Sequence, residues 1–367
     1  MSDSLSNDRV LSIDVLRGLT MFCIMDDWTL FRSIFKLFDN PVCRTIHDQF
    51  IHKSWDGFAA YDLIFPMFLF IVGLSMPFSI TKRLDRGDSR SGLYRHILIR
   101  SAALIAFGLI YNDILKFQFA EMRWVGVLQR IGICYLFSAL IVMNTKVRGQ
   151  IIWAGGILLA YFAAMKLIPV PGIGAGVLTP EGNFASYIDR LMLPGRFCCF
   201  EFGDNEGLLA TIPAVSTVLL GVLSGHWLRS PGDSMRKVKG LILFAAAALT
   251  AGYLWSFVFP LNKLLWSSSY VLFAGGWSIL LLALFYFIID VRGYSKWAFP
   301  FVVIGLNPIT IYLAQRVVNF RGISDFFFSG LAGLAGPGEA IVLAAGLLMV
   351  KWGFLYFLYR QKIFLRV

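Results

Sequence analysis

Residues 50–76 read FIHKSWDGFAAYDLIFPMFLFIVGLSM, which places His52, Trp55, Asp56 and Asp62 at the mouth of a long apolar run. Apolar runs of this kind span bilayers, and ionisable groups at their edges are expensive unless they are used. Imidazole is the side chain that exchanges a proton near neutral pH, so His52 is the first candidate for acid–base chemistry. Such a base works best when a carboxylate orients its ring. Asp62 follows in the same stretch, and Asp26 and Asp27 close the preceding apolar segment, RVLSIDVLRGLTMFCIMDDW. Neighbouring helical residues point in different directions, so at most one of Asp26 and Asp27 faces any one site.

Charges inside the other apolar segments carry further signal. Asp14 and Arg17 share a helix face, where a local ion pair competes with a role in holding a ligand. In MRWVGVLQRIGICYL, Gln129 and Arg130 lie more than a turn into the apolar run. An arginine at that depth must find a carboxylate, backbone carbonyls or an anionic ligand, and its planar guanidinium suits a phosphate or a polarised carbonyl. Glu206 opens GLLATIPAVSTVLLGVLSG, where an acid either favours the helix N-terminus or meets a cationic substrate. The small residues Ala210, Ala214, Ser216, Gly221 and Gly225 of that segment suit close helix packing. In NPITIYLAQR, Pro308 removes a backbone donor after Asn307, and such a break often lines a cavity.

The elements that must position these residues are membrane helices. The chain has 367 residues, 57% hydrophobic and only 15% charged, against about 25% charged in soluble domains. Ten apolar segments, each about 18–24 residues, suffice to cross the bilayer. They lie near 10–30, 58–80, 97–115, 124–143, 150–168, 208–228, 240–259, 268–290, 297–317 and 339–358. The expected fold is an all-α polytopic bundle of about ten transmembrane helices, with residues 1–367 forming one domain. The first segment carries Asp14, Arg17, Asp26 and Asp27 and no small-residue cleavage site follows it, unlike a cleavable signal peptide. The net charge of +11 does not point to nucleic acid, because excess Lys and Arg marks cytoplasmic loops in such proteins. With the N-terminus cytoplasmic, more of the 33 Lys and Arg fall on the inner side; both termini are then inside and His52 is outside. Cys43, Cys198 and Cys199 fall in outer loops, where a disulfide competes with free thiols, and no Cys/His cluster has zinc spacing.

Five motifs in order, RVLSIDVLRGLT, SWDGFAAYDLIFPMFLFIVGLSM, MRWVGVLQRIGICYL, DNEGLLATIPAVSTVLLGVLSG and NPITIYLAQ, resemble the transmembrane acyltransferases typified by heparan-alpha-glucosaminide N-acetyltransferase. The resemblance runs from about residue 9 to 358 and looks like a compact bacterial form, without the large luminal domain that precedes the first span in the animal enzyme. It implies an enzyme of the bacterial inner membrane that takes acetyl from acetyl-CoA and gives it to an amino sugar or glycan acceptor. The family's active histidine, a few residues before its W-[DN]-G motif, maps onto His52, followed by Trp55, Asp56 and Gly57. Where the family often carries an asparagine at the outer end of the first helix, this chain has Asp26, Asp27 and Trp28. The expected catalytic set is His52 with Asp26, Asp27 and Asp62. Arg17, Arg100, Gln129, Arg130 and Asn307 are expected to hold the donor, and Trp55, Asp56 and Glu206 the acceptor. The basic stretch from Lys82 to Arg100 suits the phosphates of coenzyme A as well as it suits plain topology. No metal is expected, and a homodimer stays open. On physics alone, a small-solute or sugar transporter fits the same helices, and a glycan O-acyltransferase would share the fold.

Overall fold

Apolar segments without water must satisfy their backbone internally, and this chain does so with helices. The computed structural model describes residues 10–26, 29–38 and 40–365. The helices are α1 (Leu11–Asp26), α2 (Thr29–Leu37), α3 (Pro41–Asp48), α4 (Ala60–Asp85), α5 (Arg90–Tyr111), α6 (Val127–Asn144), α7 (Val147–Leu167), α8 (Phe184–Met192) and α9 (Leu208–Arg229). They continue with α10 (Ser234–Ser256), α11 (Ser268–Val291), α12 (Lys296–Leu306), α13 (Pro308–Val317), α14 (Phe320–Leu334) and α15 (Gly336–Arg360). Two short strands, Pro169–Val170 and Gly174–Ala175, pair antiparallel in the connection after α7.

Among the described residues, eight of these helices are long and apolar enough to cross a membrane, and α12 with α13 makes a ninth crossing bent by 61°. The bend falls at Asn307–Pro308, where the sequence removes a backbone donor. The tenth expected span is α1, whose 16 residues reach only about 24 Å. It is wrapped by protein instead: Val15 and Leu16 are fully buried, and Gly18 lies against the Phe301 carbonyl of α12.

Some expected boundaries move. The third expected span, α5, begins at Arg90 rather than near 97, because the Ser89 hydroxyl caps it by accepting from the Gly92 N–H at 3.2 Å, and α10 begins at Ser234 rather than near 240. Arg95 and His96 therefore ride on α5 and not in a connection, and Arg100 lies a further turn along the same helix. Arg100 lays its guanidinium over the Tyr135 ring at 4.6 Å, which covers the charge within the bundle.

The centre of the bundle is the α4–α9 contact. A Cβ on Gly73 would stand 1.8 Å from the Val218 carbonyl, and one on Gly221 would stand 1.9 Å from the Phe70 carbonyl. Only hydrogen lets these backbones approach so closely. This seam fixes the beginning of α4, which carries Asp62, beside the beginning of α9, which follows Glu206. Successive crossings alternate direction, so the loops at 40–59, 112–126, 168–207 and 257–267 share the face that carries His52. The turns at 86–89, 145–146, 230–233 and 292–295 share the opposite face.

Candidate active site

His52 is held in the loop before α4 by the way that helix starts. Residues 60–63 form a tight turn because the Asp62 carboxylate folds back on its own backbone, its Oδ2 accepting from the Ala59 N–H at 3.0 Å and the Lys53 N–H at 3.4 Å. The other oxygen, Oδ1, lies 2.6 Å from His52 Nδ1. The Asp62 side chain is 2% exposed, whereas that of His52 is 43% exposed. The Tyr270 hydroxyl donates to the Asp62 carbonyl at 2.6 Å and so pins this turn to α11. The imidazole stacks on Tyr61, with ring centroids 3.9 Å apart and planes at 11°. A neutral ring that gives its Nδ1–H to a carboxylate presents Nε2 as a base.

Lys263 was not singled out from sequence, yet its Nζ lies 3.1 Å from His52 Nε2, 3.2 Å from Nδ1 and 3.9 Å from Asp62 Oδ1. The short loop after α10 reaches the site because the Gly57 N–H donates to the Leu261 carbonyl at 2.9 Å. Gly57 has φ +121°, a conformation that a side chain would strain. The only sequence signal for Lys263 is its position on the face that also carries His52.

The remaining predicted residues fall into separate groups. Asp27 lies outside the described residues, as does the Asp26 side chain. Trp55 donates its indole N–H to the Leu178 carbonyl at 3.0 Å and packs on Phe200, tying the His52 loop to the long connection after α7. Asp56 is exposed beside it. Arg17 pairs with Asp14 at 3.0 Å and donates to the Ser75 hydroxyl at 2.9 Å, so the shared helix face holds an ion pair. Asn307 gives its amide N–H to the Ile363 carbonyl and accepts from the Leu365 N–H, which joins the helix break to the C-terminal segment.

Glu206 belongs to a buried ionic cluster. Arg123 donates to both Asp204 and Glu206, with its Nε 2.7 Å from Asp204 Oδ2. Asp189 accepts from the Asp204 and Leu208 N–H groups at 3.1 and 2.9 Å. Burial pushes the Asp189 carboxyl above the usual range, with the nearby Asp204 adding to the rise against those N–H bonds. Burial works against the Arg123 charge, but its two carboxylate partners outweigh it and hold the guanidinium charged. Cys198 and Cys199, next to this cluster, are bonded to each other, and Cys43 is free.

Arg130 is 1% exposed and lies behind the His52 site. Its guanidinium stacks on Trp266 at 4.8 Å, Trp266 meets Tyr270 edge-on, and Tyr270 reaches Asp62. Its Nε donates to the Thr211 hydroxyl at 3.2 Å, while Nη1 is buried without a partner. Arg130, Gln129 and Glu206 form one end of an apolar groove of about 690 Å³ that follows α6 to Asn144 and Thr145 on the opposite face. Among the described residues, no group of three or more His, Cys, Asp or Glu could hold a metal ion.

Residues 9–253 match the family described as heparan-alpha-glucosaminide N-acetyltransferase, catalytic. The chain is 29% identical to the heparan-alpha-glucosaminide N-acetyltransferase of Mus musculus over 328 residues, covering 74% of this chain and 49% of that protein. It is also 29% identical to the protein of the same name from Homo sapiens over 377 residues, covering 87% of this chain and 56% of that protein. The chain thus spans about half the length of the curated relatives it matches.

Proposed function

Because the chain belongs to the heparan-alpha-glucosaminide N-acetyltransferase catalytic family, we propose that this multi-pass membrane protein moves an acetyl group from cytosolic acetyl-CoA to the amine of a terminal glucosamine or related amino sugar. In this reading the His52 face is outward and both termini are cytoplasmic, as in a bacterial inner membrane. The opposite face carries Arg86, Lys146 and Arg292 in its short turns, which supports that orientation.

The observation that carries the reading is the 2.6 Å contact between a partly exposed His52 and a buried Asp62. When bound, acetyl-CoA supplies a thioester whose carbonyl carbon accepts an amine. His52 Nε2 takes the proton that the attacking nitrogen sheds and returns it to the departing sulfur. Asp62 holds the ring in that tautomer and offsets its charge while it carries the proton. The Lys263 ammonium, at the ring's exposed edge, stabilises the oxyanion of the tetrahedral intermediate. The unpartnered Arg130 Nη1 at the end of a long groove fits a donor with a polarised carbonyl or phosphate.

The test is a screen of amino sugars with acetyl-CoA and the purified protein in proteoliposomes, read by mass spectrometry. An acetylated amino sugar formed by the native chain and not by His52→Ala is the expected result. No acetylated product with any amino sugar, or solute uptake independent of acetyl-CoA, would overturn it. A reporter at the C-terminus that proves external would overturn the orientation.

A further inference from the structure

The helix that carries Asp62 begins with a gap that its own sequence makes. In an α-helix each N–H donates to the carbonyl four residues earlier. Residues 60–67 read AYDLIFPM, so the residue that would donate to the Asp62 carbonyl is Pro66, which has no N–H. The Tyr270 hydroxyl donates to that carbonyl instead, at 2.6 Å. Tyr270 is fully buried at the start of α11, 208 residues away in sequence. A buried carbonyl without a donor is costly, so the proline and the distant hydroxyl belong together.

The structure around Tyr270 fixes where that hydroxyl points. The Ser267 hydroxyl caps α11 by accepting from the Tyr270 N–H at 3.4 Å. It also accepts from the Asn262 N–H at 3.1 Å and donates to the Pro260 carbonyl at 2.6 Å. One hydroxyl therefore ties the start of α11 to the loop that brings Lys263 to His52. Trp266, in the same turn, has φ +50°, a left-handed conformation that is unfavourable for a large side chain. Its indole N–H donates to the Thr217 hydroxyl of α9 at 3.1 Å, and its ring meets Tyr270 edge-on with centroids 5.4 Å apart. The Arg130 guanidinium covers it at 4.8 Å. Such a conformation persists only where the surroundings over-determine it, and here they aim Tyr270 at Asp62.

The direction of the Asp62 carboxylate depends on this stretch of backbone. Its Oδ2 is held by the Ala59 N–H at 3.0 Å, and its Oδ1 meets His52 at 2.6 Å. We propose that Tyr270 is a positioning residue for the His52–Asp62 pair: its hydroxyl replaces the N–H that Pro66 lacks, and so sets the aim of the carboxylate and, through it, of the imidazole. The inference rests on the acetyl-transfer reading above and adds what holds its base in place.

The purified full chain in detergent tests it, with acetyl-CoA and an amino sugar as substrates. Tyr270→Phe should lower kcat at least about tenfold, the scale of one lost hydrogen bond, with both KM values within about twofold of native. A second readout needs no turnover. The Nδ1–H proton of His52, observed by NMR in the 15N-histidine-labelled chain and assigned by its loss in His52→Ala, should move upfield as the contact with Asp62 loosens. Pro66→Ala returns an N–H to the Asp62 carbonyl, so Pro66→Ala combined with Tyr270→Phe should recover kcat and the resonance to nearly those of Pro66→Ala alone. A general loss of packing would not be rescued in this way. If Tyr270→Phe alone fails to fold, the double variant carries the test. Native kcat with an unmoved resonance in folded Tyr270→Phe would overturn the inference. So would a double variant no better than Tyr270→Phe, or one that fails to fold where Pro66→Ala folds. A chain whose His52 resonance depends on Tyr270 but that acetylates no amino sugar would remove the acetyl-transfer reading and leave the positioning role standing.

Discussion

Asp62 and Asp204 are both withdrawn from water, with side chains 2% and 0% exposed, yet they sit in opposite kinds of site. The partner of Asp62 is His52, a titratable ring whose side chain is 43% exposed. The partner of Asp204 is Arg123, a permanently charged group whose side chain is 16% exposed and that also binds Glu206. The second cluster pairs its charges internally, with backbone N–H groups of Cys198 and Glu206 filling the remaining Asp204 positions, and only Glu206 also borders the α6 groove. The first is open on one edge, where Lys263 stands. Under the proposed function, buried charge alone does not mark chemistry in this molecule; a buried carboxylate joined to a group that can change protonation and reach a substrate would.

The comparison breaks most sharply at the His52 end. His52→Ala should lower turnover by at least about 100-fold, the scale of a lost general base, and Asp62→Asn should lose a comparable factor by freeing the ring. Both are read as kcat with saturating donor and acceptor. Full activity in His52→Ala would place the chemistry elsewhere.

At the closed cluster the same kind of deletion should act on folding. Arg123→Ala leaves two carboxylates buried and uncompensated, a cost of about 3–5 kcal/mol. The expected result is a clear drop in thermal midpoint in detergent, with residual folded protein keeping near-native kcat. A stable Arg123→Ala protein with lost turnover would make this cluster part of the site.

Much of the architecture was legible because bilayer helices are long and apolar, and the alternation of spans placed His52, Lys263 and Arg123 on one face. Close packing along α9 was legible too, from small residues such as Gly221 and Gly225, but not that α4 is the helix they meet. What sequence did not reveal depends on side-chain reach. Arg95 and His96 read as loop residues because charge ends an apolar window, but the helix starts at Arg90 and carries them. Asn307 marked the break correctly, yet its partners are backbone atoms of the C-terminal segment that no local pattern announces. Glu206 carried the signal of a helix-start acid, and the arginine that claims it lies 83 residues away in sequence. Lys263, 211 residues from His52, had no motif at all.

Lys263 sharpens the open end of the comparison. Lys263→Gln removes a charged donor at the edge of the ring, and a charged hydrogen bond is worth about 1.5–3 kcal/mol, so kcat should fall roughly tenfold or more. Lys263→Arg should recover part of the loss. A change in acceptor KM with kcat intact would instead assign Lys263 to acceptor binding.

The smallest effect belongs to His47, the control on the same face. It lies in α3, in the same connection as His52, and among the described residues its ionic contact is with the exposed Asp48, 3.5 Å away. Exposed pairs of this kind contribute under about 1 kcal/mol, so His47→Ala should move neither kcat nor thermal midpoint appreciably. The measurement matters because His52 is held by a loop, and any substitution there could act by loosening it. The two histidines share that loop, but among the described residues only His52 reaches a buried carboxylate. If His47→Ala costs as much turnover as His52→Ala, the loss in both comes from the loop and the open site loses its base. If His47→Ala is silent and His52→Ala is not, the carboxylate contact is what separates two otherwise similar histidines.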